Sequence, residues 1–195
     1  MTLVAATGNA HKLQEIRAIL SGFTVISEKE AGFSGDVEET GETFLENALI
    51  KARAVSEKTG LPAIADDSGI CAEALRGAPG VHSARYASED GHNSSDEDNR
   101  ALLLKNLAGE KNRRAWFTSA VAVVFPDGRE VTAEGHTYGH ILEKETGEGG
   151  FGYDCLFFSD DLQKSFGVAS PAEKNAVSHR GRALEALAAK LREGA

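Results

Sequence analysis

The chain has 195 residues, of which 41% are hydrophobic and 26% charged, and a formal net charge of −9. That length suits one domain that buries its own core, and the composition argues against extensive disorder. The negative charge opposes nonspecific DNA or RNA binding, which needs clustered Lys and Arg, yet leaves room for a small anion in a local basic pocket.

The opening "MTLVAATGNAHK" lacks the basic and apolar halves of a signal peptide. No apolar run approaches the ~18 residues of a membrane helix. A cytoplasmic protein with no membrane partner is expected. Residues 2–6, "TLVAA", read as a buried strand closing in the tight turn "TGN". A helix follows, with Leu13, Ile16, Ile19 and Leu20 at helical spacing. "FTVIS" suits a second strand. "ETFLENALIKARAVSEKTG" suits a longer helix with Phe44, Leu45, Ala48, Leu49, Ala52 and Val55 inward and Gly60 at its end. Another apolar run, "LPAIA", leads to Asp66, Asp67, Ser68 and Gly69, in isolation a good turn.

"RGAPGVHSARYASEDGHNSSDED" has the composition of a long loop, and Ser94 with Glu97 matches a capping box before "NRALLLKNLAG". "AWFTSAVAVVF" and "REVTAEGHTYGHIL", joined by "PDG", predict a long β-hairpin. "EKETGEGGFGYDCLFF" reads as a glycine-rich loop entering a strand. In the last helix Ser178 is the expected N-cap, with Leu184, Leu187 and Leu191 buried. Cys71 and Cys155 show no zinc or redox spacing and read as core residues or free thiols. The pattern is mixed α/β without repeats or linkers, one domain over 1–195.

Several stretches can carry chemistry. A strand, a glycine turn and a helix N-terminus in "TGNAHK" can present backbone amides to phosphate, with Lys12 adding charge, although the Walker A spacing is missing and Asn9 could simply cap the helix. Two acidic pairs, Glu38–Glu39 and Asp66–Asp67, offer hard oxygens suited to Mg²⁺. If a strand runs through Asp66, the two aspartates point to opposite faces. Lys51 lies four residues after Asn47 on one helical face, and Lys174, His179 and Arg180 fall near a later helix start. The rings in "GGFGYD" could stack on a base or pack inward.

Five segments, "TGNAHKLQEI", "EETGETFLENALIKA", "ADDSGICAEALRGAPGVHSARYA", "GGFGYD" and "EKNAVSHRGRAL", resemble in order and spacing the inosine triphosphate pyrophosphatase family, its bacterial dITP/XTP pyrophosphatases in particular. The resemblance implies an elongated mixed β-sheet with flanking helices, two lobes around a central nucleotide cleft, and a homodimer. It implies Mg²⁺-dependent hydrolysis of dITP, ITP and XTP to monophosphate and pyrophosphate, cleansing the nucleotide pool. By matching position it implies that Thr7, Gly8, Asn9, Ala10, His11 and Lys12 cradle phosphate, with Lys51 adding charge. Asp67 becomes proton acceptor and metal ligand, and Glu38 the outer metal ligand, with Glu39 as alternative. Ser68 contacts substrate, Phe151, Gly152, Tyr153 and Asp154 shape the base and sugar pocket, and Lys174, His179 and Arg180 hold the nucleotide. Cys155 departs from the proline frequent in the family. A pyrophosphatase for modified pyrimidine nucleotides and a noncatalytic nucleotide-binding protein are the rival expectations.

Overall fold

The computed structural model describes residues 1–194. Seven strands form one mixed sheet in the order β2-β1-β3-β4-β5-β6-β7, with helices alongside. The strands are β1 (Thr2–Ala5), β2 (Thr24–Ser27), β3 (Ala63–Ala72), β4 (Arg114–Val124), β5 (Glu130–Ile141), β6 (Phe157–Ser159) and β7 (Lys164–Ser165). The helices are α1 (Ala10–Ile19), α2 (Phe44–Thr59), α3 (Asp96–Asn106), α4 (Pro171–Val177) and α5 (His179–Glu193). β1 pairs parallel with β2 and with β3, whereas β6 runs antiparallel to β5 and β7. None of the described helices is long and apolar enough to cross a membrane.

The chain divides into two compact units, and neither is contiguous in sequence. Unit 1 comprises Met1–Asp67, Ser119–Gly135 and the chain from His179; unit 2 comprises Ser68–Thr118 and His136–Ser178. In unit 1 the sheet is apolar on both faces, as expected where parallel strands are covered by helices. Leu3, Ala5, Ile64, Val121 and Val123 meet Ile16 and Leu20 of the α1 region and Leu184 and Leu187 of α5, while Val4, Ala63, Ala65 and Ala122 meet Ala48, Ala52 and Val55 of α2. Close approach of α5 requires a missing side chain: a Cβ on Gly135 would lie 2.2 Å from the His179 carbonyl. Unit 2 has its own core of Ile70, Leu103, Phe117, Tyr153, Phe157 and Phe166.

The predicted strands, the long hairpin and the helices at 10–20, 42–60 and 178–194 are present, with their ends displaced by a few residues. Three local expectations change. The Asp-Asp-Ser-Gly segment does not turn but lies within β3, because Ala63–Asp67 and Gly69–Ala72 are buried in the sheet and the pairing outweighs turn propensity. The capping residue of α3 is Ser95, which accepts from Asp98 N at 3.0 Å, rather than Ser94. A short helix unanticipated from the sequence, α4, starts at a Ser170–Glu173 capping box with Pro171 in its first turn and ends at Ser178, which with extended backbone also stands directly before α5, where the N-cap was expected. The loop after β3 contains a 3-10 segment, Gly80–Arg85, and both cysteines are free thiols.

Candidate active site

Because side chains alternate along a strand, Asp66 and Asp67 leave opposite faces of β3. Asp66 joins the α1 and α5 side, where its carboxylate is fully buried. Oδ2 takes Lys12 Nζ at 2.8 Å and Arg180 Nη2 at 3.1 Å, and Oδ1 takes the Ser119 hydroxyl at 2.5 Å. Arg180 also donates to Glu15. Burial alone would raise the Asp66 pKa, but the charges and hydrogen bonds of Arg180 and Lys12 outweigh it and hold the group well below its usual value. Asp66 is thus locked as an anion.

Asp67 faces α2 under different conditions. Asn47 Nδ2 donates to its Oδ2 at 3.1 Å, and Lys51 Nζ stands 3.6 Å from Oδ1. Lys51 Nζ is shared, lying 3.1 Å from Glu39 Oε1 and donating to the Asp66 carbonyl at 3.0 Å. Burial raises the Asp67 pKa; Lys51 and Lys12 oppose that, while Glu39 and Asp66 add to it, and the outcome is a raised value. A carboxylate lifted in this way is a better proton acceptor than an ordinary aspartate. Asn47 fixes more than Asp67, since its Oδ1 accepts from Gly41 N at 2.8 Å and ties the segment carrying Glu38 and Glu39 to α2.

In this cluster four carboxylates, Glu15, Asp66, Asp67 and Glu39, face three cations, Lys12, Lys51 and Arg180. A triphosphate would meet a site without spare positive charge. Asp67 and Glu39, both beside Lys51, are hard oxygen donors of the type Mg²⁺ takes, and this ion commonly uses one or two carboxylates and completes its shell with water and phosphate oxygens. No group of three or more His, Cys, Asp or Glu that could hold a metal occurs among the described residues, as an ion relying on substrate and water permits.

The remaining predicted residues divide between the units. At the start of α1, Asn9 Oδ1 accepts from His11 N at 2.9 Å and Lys12 N at 3.2 Å, so the turn is a capped helix start with Gly8 and Ala10 exposed beside it. Thr7 Oγ1 steadies that turn through Asn9 N at 3.1 Å. Glu38 is exposed, whereas Glu39 is engaged by Lys51. His179 is buried in the first turn of α5, and Arg180, expected to hold nucleotide, is buried against Glu15 and Asp66. In unit 2 Ser68 is half-buried on β3. Lys174 Nζ donates to Asp154 Oδ2 at 2.7 Å with both side chains 4% exposed, and it sits 4.7 Å from the Phe151 ring centroid. Asp154 Oδ2 also accepts from Phe151 N at 2.9 Å, an approach that a Cβ on Gly150 (φ +74°) would obstruct. The Tyr153 hydroxyl donates to the Ser83 carbonyl at 2.7 Å. Sequence reasoning missed Glu15 and Ser119, which look like ordinary helix and strand residues, and used Asn47 only to locate Lys51.

Comparison with known proteins agrees with the resemblance in the motifs. The model of the Ham1 family matches residues 3–190. The chain is 48% identical to the dITP/XTP pyrophosphatase of Haemophilus influenzae, covering 97% of this chain and 98% of that one. It is 49% identical to the protein of the same name from Chromobacterium violaceum, covering 97% and 96%. Among solved structures, the Staphylococcus aureus Ham1 protein superposes with a TM-score of 0.87 at 37% identity, covering 100% of both chains. A HAM1 protein from Coxiella burnetii gives 0.88 at 39% identity, covering 99% of both.

Proposed function

The chain belongs to the Ham1 family, and from that premise we propose that it is a nucleoside-triphosphate pyrophosphatase. It hydrolyses noncanonical purine nucleotides, dITP, ITP and XTP, to the monophosphate and pyrophosphate. The observation that carries the chemistry is Asp67: a buried carboxylate with a raised pKa, oriented by Asn47 and next to a lysine. Asn47 occupies Oδ2, so Oδ1 is the atom to take the proton of an attacking water. Lys51, 3.6 Å from that oxygen, stabilises the anion before transfer and offers charge to a phosphate. Lys12 and the exposed backbone at Gly8 and Ala10 are assigned to the phosphates as well.

Asp67 and Glu38 are the proposed holders of Mg²⁺, with Glu39 occupied by Lys51. Bound there, the ion would supply positive charge that neutralises the polyanion and the departing pyrophosphate. Ser68 contacts the substrate, and His179 and Arg180 keep the nucleotide side of α5 in place. Phe151, Gly152, Tyr153, Asp154 and Lys174 are assigned to base and sugar, and their rigidity supports that role: Lys174 and Asp154 form a closed, desolvated ion pair next to the Phe151 ring. The protein works as a homodimer in the same proposal. On β5, Tyr138 is 50% exposed beside the His136 ring, an exposed aromatic patch of the kind that interfaces between subunits bury.

The test is incubation with Mg²⁺ and, separately, dITP, XTP, dGTP, dATP and dTTP, quantifying monophosphate, pyrophosphate and free phosphate. Preference for dITP and XTP with pyrophosphate release is expected; stepwise release of phosphate, or preference for dTTP, would reject the assignment. Light scattering of the wild type and of Tyr138→Asp checks the dimer, and a monomeric wild type would dismiss it.

A further inference from the structure

We propose that Asp96 and Arg100 of α3 are positioning residues for substrate selection, acting through the backbone of the loop at Gly149–Tyr153. The proposal rests on the assignment of Phe151 to Asp154 to the base and sugar, and goes beyond it by naming what sets that loop from outside. Gly152 lies outside any strand or α-helix, so its peptide groups have no ladder to satisfy them. Helix α3 supplies both partners. Asp96 Oδ2 accepts from Gly152 N at 2.8 Å, and Arg100 Nη1 donates to the Gly152 carbonyl at 2.9 Å. Glu145 orients the guanidinium by accepting from Arg100 Nε at 2.6 Å.

The helix is itself a fixed support. Leu103 and Leu107 anchor it in the unit 2 core. Asn99 accepts from Ala87 N at 2.8 Å and donates to the Ala84 carbonyl at 3.1 Å, which ties α3 to the preceding segment. One residue back along the loop, Asp154 Oδ2 accepts from Phe151 N at 2.9 Å. The Phe151–Gly152–Tyr153 stretch is therefore gripped at consecutive peptide groups by two separate supports. A loop that distinguishes purines differing by one exocyclic group must hold its donors to a fraction of an ångström, and release of one grip would blur that distinction before it disturbed the phosphates. Asp96 and Arg100 touch the loop backbone, so their effect belongs in recognition of the base and not in proton transfer at Asp67.

The experiment measures kcat and KM for dITP and dGTP in the wild type and in Asp96→Ala, Asp96→Asn, Arg100→Ala and Arg100→Lys, with melting temperatures alongside. The alanine variants should raise KM for dITP and lower the dITP-to-dGTP ratio of kcat/KM by roughly tenfold, with kcat within about threefold of wild type. Asp96→Asn keeps an acceptor and should restore most of the ratio. Arg100→Lys cannot serve Gly152 and Glu145 together and should fall between. An unchanged ratio, or an equal loss on both substrates through kcat, would overturn the proposal. If an alanine variant melts below the assay temperature, Asp96→Asn and Arg100→Lys decide: equal ratios in these two would also overturn it. A wild type with no preference for dITP would instead remove the functional assignment beneath it.

Discussion

Asp66 and Asp67 are covalent neighbours, yet the two faces of β3 give them opposite electrostatic lives. On the α1 and α5 face, Asp66 is surrounded by Lys12, Arg180 and Ser119, and its pKa is depressed despite burial. On the α2 face, Asp67 has one amide donor and one shared ammonium, and its pKa is raised. A buried charge with full pairing is a structural commitment; one with partial pairing keeps its affinity for a proton. The difference teaches that proton acceptor and charge anchor need not be separate segments, since one step along a strand exchanges an arginine for an amide.

The largest expected effect breaks the pair on the α2 side. Asp67→Asn keeps the shape and should lower kcat by about 10²–10⁴-fold, the usual range for loss of general base catalysis, with the melting temperature unchanged or raised. Turnover near the wild-type rate would reject Asp67 as the proton acceptor. Asp66→Asn should do the reverse in stability: removing the anion leaves Arg180 and Lys12 buried with less countercharge, at a loss of about 3 kcal/mol in urea unfolding. A stable Asp66→Asn protein would mean that Glu15 alone satisfies Arg180. A third test uses the acidic segment held by Asn47. Glu38→Gln should raise the Mg²⁺ concentration for half-maximal rate roughly tenfold, about 1.4 kcal/mol of metal affinity, while Glu39→Gln should leave it within about threefold. The opposite order would reassign the metal ligand to Glu39.

Much of the contrast was legible beforehand, and the missing parts have physical causes. Period-two geometry alone says that adjacent strand residues face apart, but the local composition of Asp-Asp-Ser-Gly favours a turn, and only pairing within a buried sheet overrules it. The helix periodicity placed Lys51 and Asn47 on one face, which the shared contact with Asp67 bears out. It could not reveal that the amide of Asn47 orients the carboxylate, because a buried asparagine in a helix has no signature apart from its partners. Ser119 bonds Asp66 from 53 residues further along the chain, and Glu15 accepts from Arg180 across 165 residues. Such distances in sequence leave no local pattern. The five family segments led to the fold and activity of a Ham1 family member, whereas the α3 grip on Gly152 lay in a stretch read as loop and helix start.

The smallest effect is the pH dependence of stability in metal-free protein, and its sign separates the two faces. Asp66 has a folded-state pKa below the unfolded value of about 3.9, so its stabilisation is complete above that pH and is lost as pH falls through the folded value. Asp67 has a folded-state pKa above the unfolded one, so protonation in the folded state comes first. Its contribution is most favourable below the unfolded value and is lost as pH rises through the raised folded value. Subtracting the unfolding free energy of Asp67→Asn from that of wild type should therefore give a difference that declines from pH 4 towards neutrality. The same subtraction with Asp66→Asn should give a difference that declines in the other direction, below pH 4. Two curves of the same slope would mean that the faces of β3 are electrostatically alike, and the division of labour between the aspartates would fall with them.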